Sequence, residues 1–152
     1  MNAGDWLNLT FRLCLATLIG GAIGLNRQTA GKAAGLRTHM LVSLGAALFV
    51  MVTLTDGSAN SDALSRTIQG VATGVGFWGA GEIIQLSRLS EGKPKVKGLT
   101  SAASIWATAA LGVVAACGLW WVAIWGTLLV LLILSGAKSL ERFIPPQRGD
   151  DD

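Results

Sequence analysis

Apolar residues run through this chain in blocks too long and unbroken for the half-buried helices of a water-soluble domain. The clearest block is 98–137, which contains no Asp, Glu, Lys, Arg or His. As a single helix it would extend roughly 60 Å, about twice the hydrocarbon thickness of a bilayer. It therefore predicts two helices folded back on each other, at 99–117 and 119–137, with the reversal at Cys117 and Gly118. A small residue and a glycine permit the tight turn, and Trp120 and Trp121 then fall at the interfacial depth that tryptophan favours. The same test predicts spans at 6–25, 38–55 and 67–84, each close to the ~20 residues a crossing requires. Pro94, Pro145 and Pro146 all lie in connecting segments, whereas glycine is frequent inside the spans, as it is in membrane helices. The pattern predicts an all-α integral membrane protein: a five-helix transmembrane domain over 1–142 and a short polar tail at 143–152.

Composition agrees with this reading. The 152 residues are 51% hydrophobic and 14% charged, with a mean hydropathy of +0.54, too little charge to cover a soluble surface. Lys and Arg then set the orientation. Arg27, Lys32 and Arg37 lie between the first and second spans; Arg88, Lys93, Lys95 and Lys97 between the third and fourth; Lys138, Arg142 and Arg148 after the fifth. These are ten of the twelve basic residues, and the opposite loops carry none. The positive-inside rule places those loops in the cytoplasm, with the N-terminus outside and the C-terminus inside. No basic stretch precedes the first span and no small-residue cleavage site closes it, so a removed leader is not expected. The net charge of +3 is accounted for by loops at an anionic leaflet, without a nucleic-acid partner.

The two cysteines, Cys14 and Cys117, make no disulfide framework and are expected to be buried, inert thiols. A weak repeat has an offset of 63 residues: Gly35-Leu36 matches Gly98-Leu99, and Ala46-Ala47-Leu48 matches Ala109-Ala110-Leu111. Two readings stay open for it, coincidence in an Ala/Gly/Leu-rich chain or parallel copies of spans one–two and three–four. Small residues recur every fourth position at Ala16, Gly20 and Gly24, at Ala72, Gly76 and Ala80, and at Ser104, Thr108, Gly112 and Ala116. Such stripes let membrane helices approach closely, within the chain or against a partner or second copy.

Ionisable groups at membrane depth are costly and therefore informative. Arg12 stands about 9 Å inside the outer boundary at helical rise; it can snorkel outward or pair with Asp5, Asp56 or Asp62. Glu82, at the inner end of the third span, has Arg37, His39 and Lys97 as plausible partners. It reads either as a helix-end ion pair or as part of a cytoplasm-facing ion or regulator site. No other acidic residue can lie near membrane depth, which argues against a Mg²⁺ path, since that cation is bound through carboxylates and retained waters. Oligomerisation would multiply Glu82 and weaken that argument. No nucleophile–base–acid set, phosphate-binding glycine loop, cofactor motif or metal-ligand spacing is present, so no catalysis, metal or cofactor is expected. His39, the one histidine, is expected to be a loop hydrogen-bonding residue.

One stretch joins a compact cationic loop to an uncharged apolar helix: 31–49, GKAAGLRTHMLVSLGAALF. Further blocks stand in order along the chain: Gly24-Leu25-Asn26-Arg27-Gln28, Gly74-Val75-Gly76-Phe77-Trp78-Gly79-Ala80-Gly81, and Val96-Lys97-Gly98-Leu99-Thr100-Ser101-Ala102-Ala103. Together they resemble the signature of the MgtC/SapB family of bacterial inner-membrane proteins, from about Arg12 to Arg142. Two positions depart from the family pattern: Asn26, where many relatives are acidic, and Glu82, where many are aliphatic. The resemblance implies a bacterial inner (plasma) membrane protein linked to magnesium limitation, acid or other stress. It implies a regulator that contacts other membrane proteins, such as an F-type ATP synthase or a magnesium transporter. Many relatives add a soluble C-terminal domain, so this chain is expected to be a short form that lacks it. The resulting expectation is a non-enzymatic magnesium-homeostasis or stress factor in the lipid bilayer. Its binding or regulatory cluster is Asn26, Arg27, Arg37, Thr38, His39, Glu82 and Lys97, fixing two loops and presenting a basic face. The alternatives are a small Mg²⁺ or other ion transporter, including as a homo-oligomer, and a structural oligomeric module.

Overall fold

A computed structural model of the chain describes residues 3–55, 61–88 and 96–141. The five expected helices are present: α1 (Ala3–Thr29), α2 (Leu36–Thr55), α3 (Ser61–Arg88), α4 (Leu99–Ala116) and α5 (Trp120–Glu141), and no strand accompanies them in the described residues. Several helices outrun their apolar stretches, most of all α1 and α3, at 27 and 28 residues. Hydropathy marks where hydrocarbon ends, whereas backbone hydrogen bonding continues through polar residues such as Asn26–Thr29 into the headgroup layer. Three helices are long and apolar enough to cross a membrane: Gly4–Thr29, Leu36–Leu54 and Leu99–Ala116; α5 adds a shorter apolar stretch, Trp120–Gly136. The 56–60 loop with Asp56, the 89–95 connection with Glu91, Lys93 and Lys95, and the 142–152 tail with Arg142 and Arg148 lie outside the described residues.

Glycine in the left-handed region ends two of these helices. At the end of α1, Gly31 (φ 66) donates its N–H to Gln28 O (3.0 Å) while the Lys32 N–H reaches Arg27 O (3.1 Å). At the end of α4, Gly118 (φ 80) donates to Ala115 O (3.0 Å) and Leu119 donates to Val114 O (3.2 Å). Each pair satisfies carbonyls that the helix itself leaves without donors. The reversal at Cys117 and Gly118 follows from this, and Trp120 and Trp121 stack just beyond it, ring centroids 4.2 Å apart.

α4 is the hub, in contact with all four other helices, while among the described residues α3 touches only α2 and α4. Close packing comes from small residues. A Cβ on Gly20 would collide with the His39 carbonyl oxygen, and one on Gly24 would come within 2.7 Å of Leu36 Cα, so α1 and α2 meet backbone to backbone. Gly112 does the same for α4, seated on the Ser43 carbonyl of α2. The stripes on the first and fourth helices are thus interior, and Ala16, Ser104, Thr108 and Ala116 are buried with them. The third stripe differs: a Cβ on Gly76 would meet no atom of the described residues within 4 Å outside its own helix's neighbouring backbone, and Ala80 is exposed. Ile23, Val50 and Ile105 fill what the small residues leave. Both cysteines are free, and Cys14, expected inside, is exposed on the outer face of α1; nothing in its neighbours' spacing required that it face inward.

Candidate functional site

The site lies where the end of α1, the start of α2 and the start of α4 converge. Arg27 is on the last turn of α1 and is 3% exposed. Its Nη2 donates to Ser101 Oγ at 3.2 Å, and its Nε is buried without an acceptor. His39, one turn into α2, is wholly buried. Its Nδ1 is 2.9 Å from Gly35 O, and its Nε2 is 3.2 Å from Ser104 Oγ. A carbonyl can only accept, so Nδ1 carries a hydrogen. Ser104 also donates to Ser101 O at 2.8 Å. With one hydroxyl hydrogen, Ser104 cannot serve that carbonyl and a bare Nε2 together. Ser101 O already accepts the Ile105 N–H within α4, so a neutral ring is satisfied when the Ser104 hydroxyl turns to Nε2. Thr108, one turn on, donates to Ser104 O (2.8 Å). The result is a buried polar track along one face of α4, with the two cationic-type side chains at its amino-terminal end.

The other expected cluster members separate into distinct places. Asn26 turns toward α5 and donates to Ser135 Oγ at 2.8 Å. Arg37 is exposed and Thr38 half-buried, both on the first turn of α2. Lys97 is exposed, and its backbone N–H donates to Ser87 Oγ (3.1 Å), tying the start of α4 to the end of α3. Glu82 is half-buried on α3. Its Oε1 is enclosed without a hydrogen-bond partner, and among the described residues it forms no ion pair with Arg37, His39 or Lys97. The expectation of a helix-end ion pair is therefore corrected. Glu82 sits one turn beyond Gly79, the residue of α3 that faces Ala102, whereas His39 and Arg27 reach α4 through Ser104 and Ser101. The expected basic face is also divided: Arg37 and Lys97 are outside, while Arg27 and His39 are interior. His39 is a core residue of a helix interface instead of a loop residue, because the glycines of α1 draw the start of α2 into the bundle.

Arg12 belongs to the opposite end. Its Nε donates to Asn8 Oδ1 (2.7 Å) and its Nη1 to Ala116 O (2.8 Å). The guanidinium caps the carboxy-terminal end of α4, where a cation complements the helix dipole. No aspartate holds it among the described residues.

Ser101, Ser104 and Thr108 escaped the sequence reading as functional groups. Their signal was present as hydroxyls on one face of the uncharged block 98–137, which read as small residues for packing.

A sequence model of the MgtC family matches residues 13–143. Protein SrpB of Synechococcus elongatus is 56% identical over 145 residues, covering 91% of this chain and 80% of SrpB. A protein of Escherichia coli (strain K12) named "Putative magnesium transporter YhiD" is 44% identical over 130 residues, covering 81% of this chain and 57% of its own length. Protein MgtC of Salmonella typhimurium (strain LT2) is 37% identical over 119 residues, covering 78% of this chain and 48% of MgtC. The chain thus spans most of SrpB but only about half of YhiD and MgtC. No solved structure matches it. With the family match running across nearly all five helices, the chain belongs to the MgtC family.

Proposed function

We propose that this protein is a non-enzymatic factor of magnesium homeostasis or stress response that acts by helix contacts with other membrane proteins. The observation that carries this reading is the uncovered face of α3. Gly70, Gly74 and Gly81 lie on one side of α3 at helical spacing, and a Cβ on any of them would meet no atom of the described residues within 4 Å outside its own helix's neighbouring backbone. Between α2 and α3 lies an apolar groove of about 600 Å³, lined by Leu41, Gly45, Phe49, Gly70, Gly74 and Trp78. A glycine-floored groove on a membrane helix admits another helix at close range, the contact that drives association in lipid. The magnesium context comes from the family and from the name that YhiD carries. In this reading five helices span the bacterial inner membrane, with the N-terminus outside and the C-terminus in the cytoplasm. The adjacency of α2 and α4 supports, in the same reading, a parallel repeat of α1–α2 and α3–α4. An F-type ATP synthase or a magnesium transporter is the proposed class of partner.

Gly74→Leu tests the groove without touching the core. The expected outcome is normal membrane insertion, loss of cross-links from α3 to partner proteins, and impaired growth at low Mg²⁺. Full growth and unchanged cross-links would contradict the proposal.

The name of YhiD favours a second reading, direct Mg²⁺ transport. Against it, the described residues hold no group of three or more His, Cys, Asp or Glu side chains able to share a metal. Flux into liposomes containing only this protein would establish transport; folded protein with no flux would retire it.

A further inference from the structure

Cationic side chains gather at the amino-terminal end of α4, and among the described residues no carboxylate caps it. Gly98, in the left-handed region (φ 92), precedes the helix without a side-chain cap. The first intrahelical bond is Ala102 N–H to Gly98 O (2.9 Å), so the N–H groups of Leu99, Thr100 and Ser101 have no acceptor within the helix. Against this first turn lies Arg27, 3% exposed, with one guanidinium nitrogen on Ser101 Oγ and Nε unpartnered. Buried charges are ordinarily paired, and an orphaned buried donor demands an explanation such as an unseen ion. Among the described residues, the groups packed around Arg27 do not supply one. His39 faces it from α2 and adds no negative charge; Lys32, Arg37 and Lys97 are exposed cations. Glu82 flanks the same helix end from α3, but its enclosed Oε1 accepts from none of these N–H groups.

We propose that Arg27, Ser101 and the first turn of α4 form a binding site for a phosphate-type oxyanion, either a phospholipid headgroup or free phosphate. The two halves of the site are complementary. A helix amino terminus offers convergent backbone N–H groups to tetrahedral oxyanions, and arginine adds a planar fork for two of their oxygens. The depth suits a headgroup phosphate, since Arg27 stands two residues from the end of the span Gly4–Thr29 and Ser101 two residues into the span Leu99–Ala116. The guanidinium reaches the anion by giving up its long bond to Ser101, whose hydroxyl then becomes a further donor.

The test uses the full chain purified in a phosphate-free sugar detergent. Thermal unfolding is followed against added inorganic phosphate in one arm and against mixed micelles containing phosphatidylglycerol in the other, with chloride at matched ionic strength as control. The wild-type protein should show a saturable rise in Tm in at least one arm, and the responding arm identifies the source. Arg27→Met should abolish the rise while leaving basal Tm equal or higher, because an unpaired buried charge has gone. Arg27→Lys, which keeps charge but not the fork, should weaken the response, and Ser101→Ala should shift its midpoint to higher ligand concentration. Native mass spectrometry should find phospholipid retained by wild type and lost from Arg27→Met if the lipid arm responds. Folded wild type with no rise in either arm overturns the proposal, as does an equal rise in Arg27→Met.

Discussion

Gly112→Val should dismantle the bundle. A Cβ at Gly112 would collide with the Ser43 carbonyl oxygen and would come within 2.9 Å of Ser43 C and 3.0 Å of Ser43 Cα. All three atoms are backbone, so no rotamer change relieves the clash, and α2 would have to move off α4. That movement opens the contact between the two most interior helices, and with it the packing around Ile105 and Val50, both fully buried. Overpacking of well-packed sites costs about 1–3 kcal/mol, and rigid backbone on both sides places this substitution at or above the upper end. Gly76→Val is the matched control, because that position has open surroundings. Thermal unfolding in detergent, or protease resistance in membranes, should show Gly112→Val largely unfolded and Gly76→Val near wild type.

His39→Ala should be the costliest change among the expected site residues. The ring is fully buried, so its removal leaves a cavity between α2 and α4 and deletes both hydrogen bonds, to Gly35 and Ser104. Cavity and lost contacts together amount to about 2–4 kcal/mol. Its neighbour behaves oppositely: replacing Arg27 by Met removes a buried cation that no carboxylate compensates among the described residues, so stability should hold or rise. The two residues sit on the same α4 face through Ser104 and Ser101, one turn apart, yet their substitutions differ in sign. A Tm measurement on both variants checks this directly; a large loss in Arg27→Met with no change in His39→Ala would reverse the assignment of roles.

Much of the architecture was legible because the bilayer leaves few choices. Uninterrupted apolar length gave five helices, and the charge-free block 98–137 had to reverse where Gly118 could adopt a positive φ. Helix ends were less legible, since hydropathy stops at the hydrocarbon edge while α1 continues to Thr29 and α3 starts at Ser61. The candidate cluster was legible as a set of residues at one end of the bundle and illegible as geometry. Arg27 and Arg37 look alike in sequence, but the turn at Gly31 and the close approach at Gly24 bury one and expose the other. Arg12 could be picked out as a costly group at depth, whereas its partner, a carbonyl at the end of α4, carries no sequence signal. The stripe of Ser104, Thr108 and Gly112 announced close packing, and only the approach of His39 reveals that its hydroxyls also bond.

The proposed topology has these helices crossing a bilayer with the Arg27–His39 end toward the cytoplasm. In a background carrying Cys14→Ala and Cys117→Ala, single cysteines at two exposed positions, Lys97→Cys and Leu119→Cys, can be probed with a membrane-impermeant maleimide. Intact cells should label Leu119→Cys at once and Lys97→Cys only after permeabilisation. Labelling of Lys97→Cys in intact cells, with Leu119→Cys protected, would contradict the account.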